Sequence, residues 1–327
     1  TLGLSYGSSS WYAVLSDFCV LRKGAVLTGD DVARLRAEGV DHVVVARLGP
    51  QDVAEDSAAT ALAAALVPDP AGQGLSVSAA FTGRVNLNAL GPGIVELDAQ
   101  AVLALNRIDP SITLATLPPL MRVEAGTLVG TVKIISYAVD GAALAQACVA
   151  ARAAVRVRPV VMQTAALVLT EVAGQDPKLT AKGRRAVEAR LRGLGMRLAG
   201  CEVVPHRISA IATALRQAGG EMVLVLTGSA TSDLHDTAPE ALRRAGGQVA
   251  RFGMPVDPGN LLFLGDLAGR AVVGLPGCAR SPALNGADWV LERLACGLDV
   301  TSEDIAAMGV GGLLKEIPTR PHLREQK

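Results

Sequence analysis

Residues 160–297 alternate between apolar runs of strand length and amphipathic segments of helix length. The runs VLVL (Val223–Leu226) and AVVGL (Ala271–Leu275) each end abruptly in small or turn-forming residues that lead towards a helix. Strands that alternate with helices of about 10–15 residues require right-handed crossovers and a mostly parallel sheet covered on both faces. The alternation therefore predicts an α/β fold, a three-layer α/β/α domain with a ligand crevice at the carboxyl edge of its sheet.

The sequence before this domain follows a different pattern. Short β-rich runs broken by Gly and Pro occur at 75–87 and 112–139, with short helices before, between and after them. This pattern predicts a smaller α+β region. The last of these helices is expected over 140–155, leading to a linker near 156–159. We predict an α+β region at 1–157, the α/β domain at 158–300 and a C-terminal tail at 301–327.

Composition excludes several classes of function. The chain has 327 residues with equal numbers of Lys+Arg and Asp+Glu, 31 of each, so no net field attracts nucleic acid or an anionic membrane. The five cysteines are odd in number and scattered, which favours reduced thiols over a disulfide framework or a zinc site. No apolar run reaches about 18 residues, and WYAVL has no basic flank before it. We expect a cytoplasmic protein with no nucleic-acid or membrane partner.

The turn after the first of these strands has the residues of an anion site. Thr227, Gly228 and Ser229 are small, so backbone N–H groups there can approach a phosphate closely. The following helix adds the positive end of its dipole. A polar strand-to-helix loop without a ligand is the alternative interpretation. Asp233 and Asp236 flank the turn and are candidates for catalysis by holding Mg²⁺ or orienting a nucleotide. Capping of the helix, by an acidic residue before a Thr237–Glu240 capping box, competes with that role.

The turn after the second strand offers a fixed positive charge. Pro276 and Gly277 form the turn, and Arg280 is the candidate phosphate partner, with an exposed surface arginine as the alternative. Ser281, followed by a proline, is expected to cap the last helix. Cys278 has only Arg280 nearby to lower its pKa, so a reactive thiol is not expected. The two turns together predict one shared site.

These turns resemble the molybdopterin-binding domain family, which includes molybdopterin adenylyltransferases and molybdenum insertases. Thr227-Gly228-Ser229 stands where that family carries an SGG or TGG turn, Asp236 where it carries an acidic residue, and Leu275-Pro276-Gly277 where it carries LPG. The segment Leu21–Leu48 is similar to the sequence preceding this domain in insertases. From about Leu21 to Pro321, the chain looks closest to the molybdopterin-binding half of bacterial proteins that fuse this module to a nucleotidyltransferase.

The chain also departs from the family. Insertases carry lysines around a PG turn where this chain has Asp257 and Asn260, and an acidic residue where it has Pro205, His206 and Arg207. Lost positive charge argues against ordinary molybdate insertion. From sequence, His206 reads equally well as a loop histidine or as a ligand.

The resemblance implies a protein of molybdenum cofactor biosynthesis. It would bind molybdopterin, or a nucleotide or molybdenum form of it, and present it to a nucleotidyltransferase partner. Mg²⁺ and a nucleotide are further candidate ligands, no resident metal is predicted, and a homo-oligomer is left open. Adenylyl transfer or molybdate insertion is the first alternative. A nucleotide-processing hydrolase on the same fold is the second.

Overall fold

The computed structural model describes residues 11–13, 27–40, 42 and 45–314. The N-terminal lead, Cys19, part of the Leu21–Leu48 segment and the end of the predicted tail lie outside these residues. The chain divides into two compact units, the first formed by 1–91 and 95–158 and the second by 92–94 and 159–327. Among the described helices, none combines the length and apolar character needed to cross a bilayer.

The first unit mixes short strands and helices. Its strands are β1 Trp11–Ala13, β2 Val45–Arg47, β3 Asp52–Ala54, β4 Leu75–Val77, β5 Arg84–Ala89, β6 Gly93–Leu97, β7 Ile112–Thr116, β8 Arg122–Val123, β9 Leu128–Ile134, β10 Ala138–Asp140 and β11 Val155–Pro159. Its helices are α1 Gly29–Ala37, α2 Glu55–Leu66, α3 Ala99–Ile108 and α4 Gly141–Ala150. The largest sheet has the order β4-β5-β9-β7 and is antiparallel.

The core of the first unit lies between α2 and this sheet. Ala58 and Leu62 of α2 are fully buried, and they share one apolar cluster with Val85 and Leu87 of β5 and Val132 of β9. The strand β5 alternates between buried and partly exposed or exposed residues, because successive side chains of a strand point to opposite faces. One face of the sheet therefore packs on the helix.

The end of this unit differs from the sequence prediction. The predicted helix over 140–155 is wrong at its C-terminus, since α4 ends at Ala150 and Ala153 adopts a left-handed conformation with φ 56°. The predicted linker near 156–159 belongs to β11, which pairs with β6 in the sheet β11-β6-β8. Alanine favours helix in isolation, but burial of Val155 and Val157 on one face of a strand outweighs that preference here.

The second unit has the alternating order that the sequence predicted. Its strands are β12 Thr164–Glu171, β13 Arg197–Pro205, β14 Met222–Leu226, β15 Gln248–Phe252, β16 Phe263–Leu267 and β17 Arg270–Leu275. Its helices are α5 Pro177–Gly193, α6 Ile208–Gln217, α7 Thr237–Arg244, α8 Gly286–Ala295 and α9 Ser302–Ala307, with a short 3-10 helix at Gly277–Arg280.

One six-stranded sheet organises the second unit, with the strand order β13-β12-β14-β17-β16-β15. The first four strands are parallel, and β16 and β15 extend the sheet antiparallel. The mostly parallel sheet is thus confirmed. The strand β16 was not predicted from the sequence, because its apolar run is short and lies between Gly-containing turns.

Helices cover both faces of this sheet. Met222, Leu224 and Leu226 of β14 share an apolar cluster with residues of α5 and α8, whereas Val223 and Val225 share another with α6 and α7. Both faces of the strand are therefore buried, which explains why it reads as a continuous apolar run. The two clusters are the two interfaces of a three-layer domain, and they leave the carboxyl edge of the sheet as the place where loops meet.

Candidate functional site

Four parallel strands end at the same edge of the sheet. Thr170 lies near the end of β12, His206 follows β13, Thr227 follows β14, and Pro276 follows β17. The registers of β13 with β12, β12 with β14 and β14 with β17 place these ends side by side. In an open parallel sheet the carboxyl edge is the usual place for a ligand.

The first turn packs tightly against the end of β12. The backbone N–H of Gly228 donates to the buried Thr170 Oγ1 at 2.8 Å. A Cβ at position 228 would lie 2.6 Å from the Thr170 carbonyl oxygen and 2.3 Å from Gln175 Oε1, so a larger residue would displace the turn. Ser229 is exposed. The turn is therefore anchored at Gly228 and open to solvent at Ser229.

The carboxylate of Asp236 organises the far end of this turn. Its Oδ1 accepts the backbone N–H of Thr237 at 2.6 Å, and its Oδ2 accepts that of Ser232 at 2.9 Å. Asp236 is therefore the N-cap of α7, and the prediction that Thr237 begins a capping box is wrong. Aspartate is the better N-cap, which explains the shift by one residue. Partial burial raises the pKa of Asp236, but the hydrogen bonds from the Ser232 and Thr237 N–H groups outweigh burial and hold that pKa below its ordinary value.

Asp233 also binds backbone. Its Oδ1 accepts the N–H of His235 at 2.7 Å, and its side chain is exposed. Within the described part of the chain, no three His, Cys, Asp or Glu side chains are grouped so that they could hold a metal ion. The roles of Asp233 and Asp236 in holding Mg²⁺ or in catalysis stay predictions.

The second turn differs from its prediction. Residues 277–280 form the 3-10 helix, and α8 begins only at Gly286, so Ser281 does not cap the last helix. Asn285 is the N-cap instead, in a capping box with Asp288, and its Nδ2 donates to Cys278 Sγ at 3.0 Å. This capping box fixes the start of α8 at Gly286, and an arginine of α5 binds carbonyl oxygens of the residues before it.

That arginine is Arg190, which was not predicted as a site residue from the sequence. Its guanidinium donates to the carbonyl oxygens of Ala279 at 2.8 Å, Ser281 at 2.9 Å and Ala283 at 3.2 Å. Its Nε lies 2.5 Å from Asp288 Oδ1, and the side chains of this ion pair are only 9% and 13% exposed. Arg190 therefore holds the second turn and the start of α8 together. No motif around position 190 distinguishes it from the other arginines of α5.

Arg280 connects the two turns. Its Nη2 donates to the carbonyl oxygen of Thr227 at 2.6 Å, so the two predicted halves of the site lie in contact. The side chain is half-buried, and burial lowers the pKa of its guanidinium. Its Nε is buried without a hydrogen-bond partner, and no carboxylate pairs with Arg280 among the described residues. The interpretation of Arg280 as an exposed surface arginine is wrong.

The loop that carries Asp257 and Asn260 packs against the start of α8. The Gly286 N–H donates to the Pro258 carbonyl oxygen at 2.8 Å, and a Cβ at Gly259 would lie 2.9 Å from the Gly286 nitrogen. The backbone of Asp257 pairs with that of Gly312 and Leu314, and Asn260 Nδ2 donates to the Met254 carbonyl at 3.3 Å. Backbone contacts fix this loop, and neither Asp257 nor Asn260 carries positive charge.

The family comparison matches this part of the chain. Residues 177–295 match the family model described as "Probable molybdopterin binding domain". The match runs from the first residue of α5 to the last residue of α8 and includes both turns. No curated protein matches the sequence significantly.

Three proteins are among those whose solved structures are similar to this chain. The molybdopterin biosynthesis MoeA protein from Pyrococcus horikosii is 16% identical, over 75% of this chain and 80% of that one, with a TM-score of 0.33. The molybdopterin biosynthesis enzyme MoaB from Thermus thermophilus is 19% identical over 47% and 100%, with a TM-score of 0.28. The protein CinA, of unknown function, from Thermoplasma acidophilum is 14% identical over 42% and 96%, with a TM-score of 0.26. Likenesses this low do not transfer a function.

The family model therefore carries the assignment. It covers the α/β domain rather than the first unit, and it contains Thr227, Asp236, Pro276 and Arg280 in one continuous match. Residues 177–295 match the molybdopterin-binding domain family, as the resemblance of the two turns predicted.

Proposed function

We propose that this protein binds molybdopterin, or a nucleotide or molybdenum form of it, at the carboxyl edge of the second unit's sheet. In molybdenum cofactor biosynthesis it would then present the bound compound to a nucleotidyltransferase partner. The family match of residues 177–295 supports the ligand class. The proposal of a nucleotidyltransferase partner is supported by the resemblance of the sequence to proteins that fuse a molybdopterin-binding module to a nucleotidyltransferase.

The state of Arg280 is the observation that carries the proposal. A half-buried cation with no acidic partner is costly unless an anion or several acceptors compensate it. Arg280 donates to the Thr227 carbonyl at 2.6 Å and to the Gly277 carbonyl at 3.4 Å, and its buried Nε has no partner among the described contacts. A terminal phosphate between the turns would supply the missing negative charge and acceptors.

The first turn complements this cation. Ser229 and Ala230 are exposed beside Gly228, so this part of the turn is open to a ligand. The N-terminus of α7 follows, and it favours negative charge. Asp236 already neutralises part of that positive potential by capping the helix. We therefore assign phosphate binding to Arg280 and to the backbone of the turn, with Thr227, Gly228, Ser229, Pro276, Gly277 and Ser281 forming the surrounding wall.

The catalytic alternatives lack a comparable observation. The carboxylates of Asp233 and Asp236 are engaged by backbone N–H groups. The loop at Asp257 and Asn260 offers no cation to molybdate. A carrier that binds and presents its ligand needs neither feature, so it is the function that the geometry supports best.

The test is binding of molybdopterin to Arg280→Met, measured anaerobically by equilibrium dialysis. Loss of a charge-assisted hydrogen bond weakens binding by about 1.5–3 kcal/mol, roughly 10- to 150-fold. Arg184→Met is the matched control, because Arg184 lies on α5 and pairs only with Glu188 on the same exposed helix face. Thermal unfolding of both variants shows whether the loss reflects folding, since Arg280 also binds Thr227.

Two results would contradict the proposal. Equal affinity of wild type and Arg280→Met would remove Arg280 from the site. Mass spectrometry of protein purified from a molybdenum-replete host gives the second readout, because a retained pterin supports the proposal and a retained nucleotide without pterin supports the hydrolase alternative. Faster nucleotide transfer when a molybdopterin nucleotidyltransferase receives the loaded protein, rather than free ligand, would support the presenting role.

A further inference from the structure

His206 lies beside the first turn and is joined to it through Thr170. Its Nδ1 is 2.9 Å from Thr170 Oγ1, and its backbone N–H donates to the Glu171 carbonyl at 2.9 Å. The same Thr170 hydroxyl oxygen accepts the N–H of Gly228 at 2.8 Å. Thr170 is 1% exposed, so this hydroxyl is closed to solvent and must satisfy its hydrogen bonds within the protein.

The direction of these bonds follows from what a hydroxyl can do. Thr170 has one O–H to donate, and one of its lone pairs already accepts the Gly228 N–H. Among its contacts in the described structure, only His206 Nδ1 can accept that proton. If Nδ1 carried the proton instead, the buried O–H would have no acceptor, at the cost of an unmade hydrogen bond. The favoured arrangement is therefore Thr170 O–H donating to an unprotonated Nδ1.

This arrangement selects the tautomer of the ring. A neutral histidine with unprotonated Nδ1 carries its proton on Nε2. The Nε2 atom has no partner among the described contacts, and the ring is partly exposed at the carboxyl edge of the sheet. No described hydrogen bond joins His206 to Asp236, and both carboxylate oxygens of Asp236 already accept backbone N–H groups. An N–H donor is thus held beside the first turn with nothing in the described part of the protein to receive it.

We propose that His206 is a ligand-binding residue whose Nε2–H donates to an anionic oxygen of the compound bound in the first turn, and that Thr170 is the positioning residue that sets its tautomer. The inference rests on the proposed anion site and deepens it, because it assigns a neutral, directional donor beside the Arg280 cation. Such a donor fits a phosphate or another oxyanion. An uncharged apolar ligand would offer this N–H donor no acceptor.

Two substitutions separate the two nitrogens. His206→Asn places an amide oxygen near the position of Nδ1, so the Thr170 bond is kept and the outer donor is lost. His206→Gln places an amide N–H near the position of Nε2, so the outer donor is kept and the Thr170 bond is lost. We expect His206→Asn to weaken molybdopterin binding by roughly 10- to 100-fold with little change in melting temperature. We expect His206→Gln to bind within about 3-fold of wild type but to melt at a lower temperature.

The binding assays use molybdopterin and, separately, inorganic phosphate, each titrated into the full chain. If wild type binds phosphate but not molybdopterin, the proposed function fails, while the effect of His206→Asn on phosphate binding still decides the role of His206. If wild type binds neither, both proposals are overturned. Equal affinities of wild type and His206→Asn for a ligand that binds would overturn the inference about His206 alone.

The tautomer has its own readout. Two-bond ¹H–¹⁵N correlation spectra of the free protein distinguish a protonated Nε2 from a protonated Nδ1 in neutral histidine. We expect the Nε2–H form for His206 in wild type and loss of that preference in Thr170→Val. An Nδ1–H signature for His206 in wild type would overturn the positioning role of Thr170.

Discussion

The two turns at the carboxyl edge follow equivalent buried strands, yet different interactions hold them. In the first turn, Asp233 and Asp236 bind backbone N–H groups no more than four residues away. In the second, Arg190 binds carbonyl oxygens 89 and 91 residues further along the chain. Local carboxylates thus organise the far end of the first turn, whose start is anchored on Thr170 of β12, whereas a cation from α5 holds the second turn.

This difference gives the two turns different properties at the candidate site. The first turn keeps an exposed row of small residues, from Ser229 to Ala230, because its anchoring bonds lie at Gly228 and at its far end. In the second turn Arg190 binds the carbonyl oxygens on both sides of Arg280. A ligand between the turns would therefore meet an exposed turn on one side and the charge of Arg280 on the other.

The largest expected effect is on the second turn. Arg190→Met should lower the free energy of unfolding by about 3–5 kcal/mol, because it leaves Asp288 as an unpaired, mostly buried carboxylate. Urea unfolding measures the change. Arg184→Met, on the same helix, breaks an exposed pair with side chains 57% and 31% exposed and should cost no more than about 0.5 kcal/mol. Similar losses in the two variants would show that Arg190 has no special role.

An intermediate effect is expected at the anchor of the first turn. Gly228→Ala places a methyl group 2.6 Å from the Thr170 carbonyl and should lower the free energy of unfolding by about 1–3 kcal/mol. Ser229→Ala is the matched control, since its exposed side chain should change stability by less than about 0.5 kcal/mol. If Gly228→Ala behaves like this control, the turn is not anchored on β12.

The smallest effect concerns the cap of α7. Asp236→Ala should lower the free energy of unfolding by about 0.5–2 kcal/mol at neutral pH. Because the folded-state pKa of Asp236 is below its ordinary value of 3.8, its contribution is complete above that value and is lost as pH falls through the folded pKa. The difference between wild type and variant should therefore shrink in acid. A difference that stays constant down to the lowest pH at which both fold would mean that the carboxylate charge is not involved.

Much of the second unit could be predicted because its signals are local. Continuous apolar runs such as Val223–Leu226 indicate strands buried on both faces, and Thr227 to Ser229 indicate the turn. The family resemblance of the two turns was also contained in short motifs, and residues 177–295 confirm it. The cap of α7 was displaced by one residue only, because Asp236 and Thr237 are both competent caps.

Two element boundaries were predicted wrongly, each for its own reason. At 155–159 the Ala-rich context favoured a helix and the Arg-Pro residues a linker, but pairing with β6 makes the segment a strand. At Ser281 the cap signal was plausible, but the Asn285–Asp288 capping box starts α8 further along the chain. The Asn285–Asp288 spacing was a local signal that would have found the true start of α8.

The sequence by itself determined the alternation of strands and helices, the parallel sheet, the small residues of both turns and the family of the domain. These follow from periodicity, turn chemistry and short motifs, which act over a few residues. Only the tertiary structure decided that Arg190 holds the second turn, that Arg280 reaches the Thr227 carbonyl and that Thr170 links His206 to Gly228. Such contacts depend on which helix covers which strand end. A long side chain has many rotamers, so the local sequence does not indicate which residue it will contact.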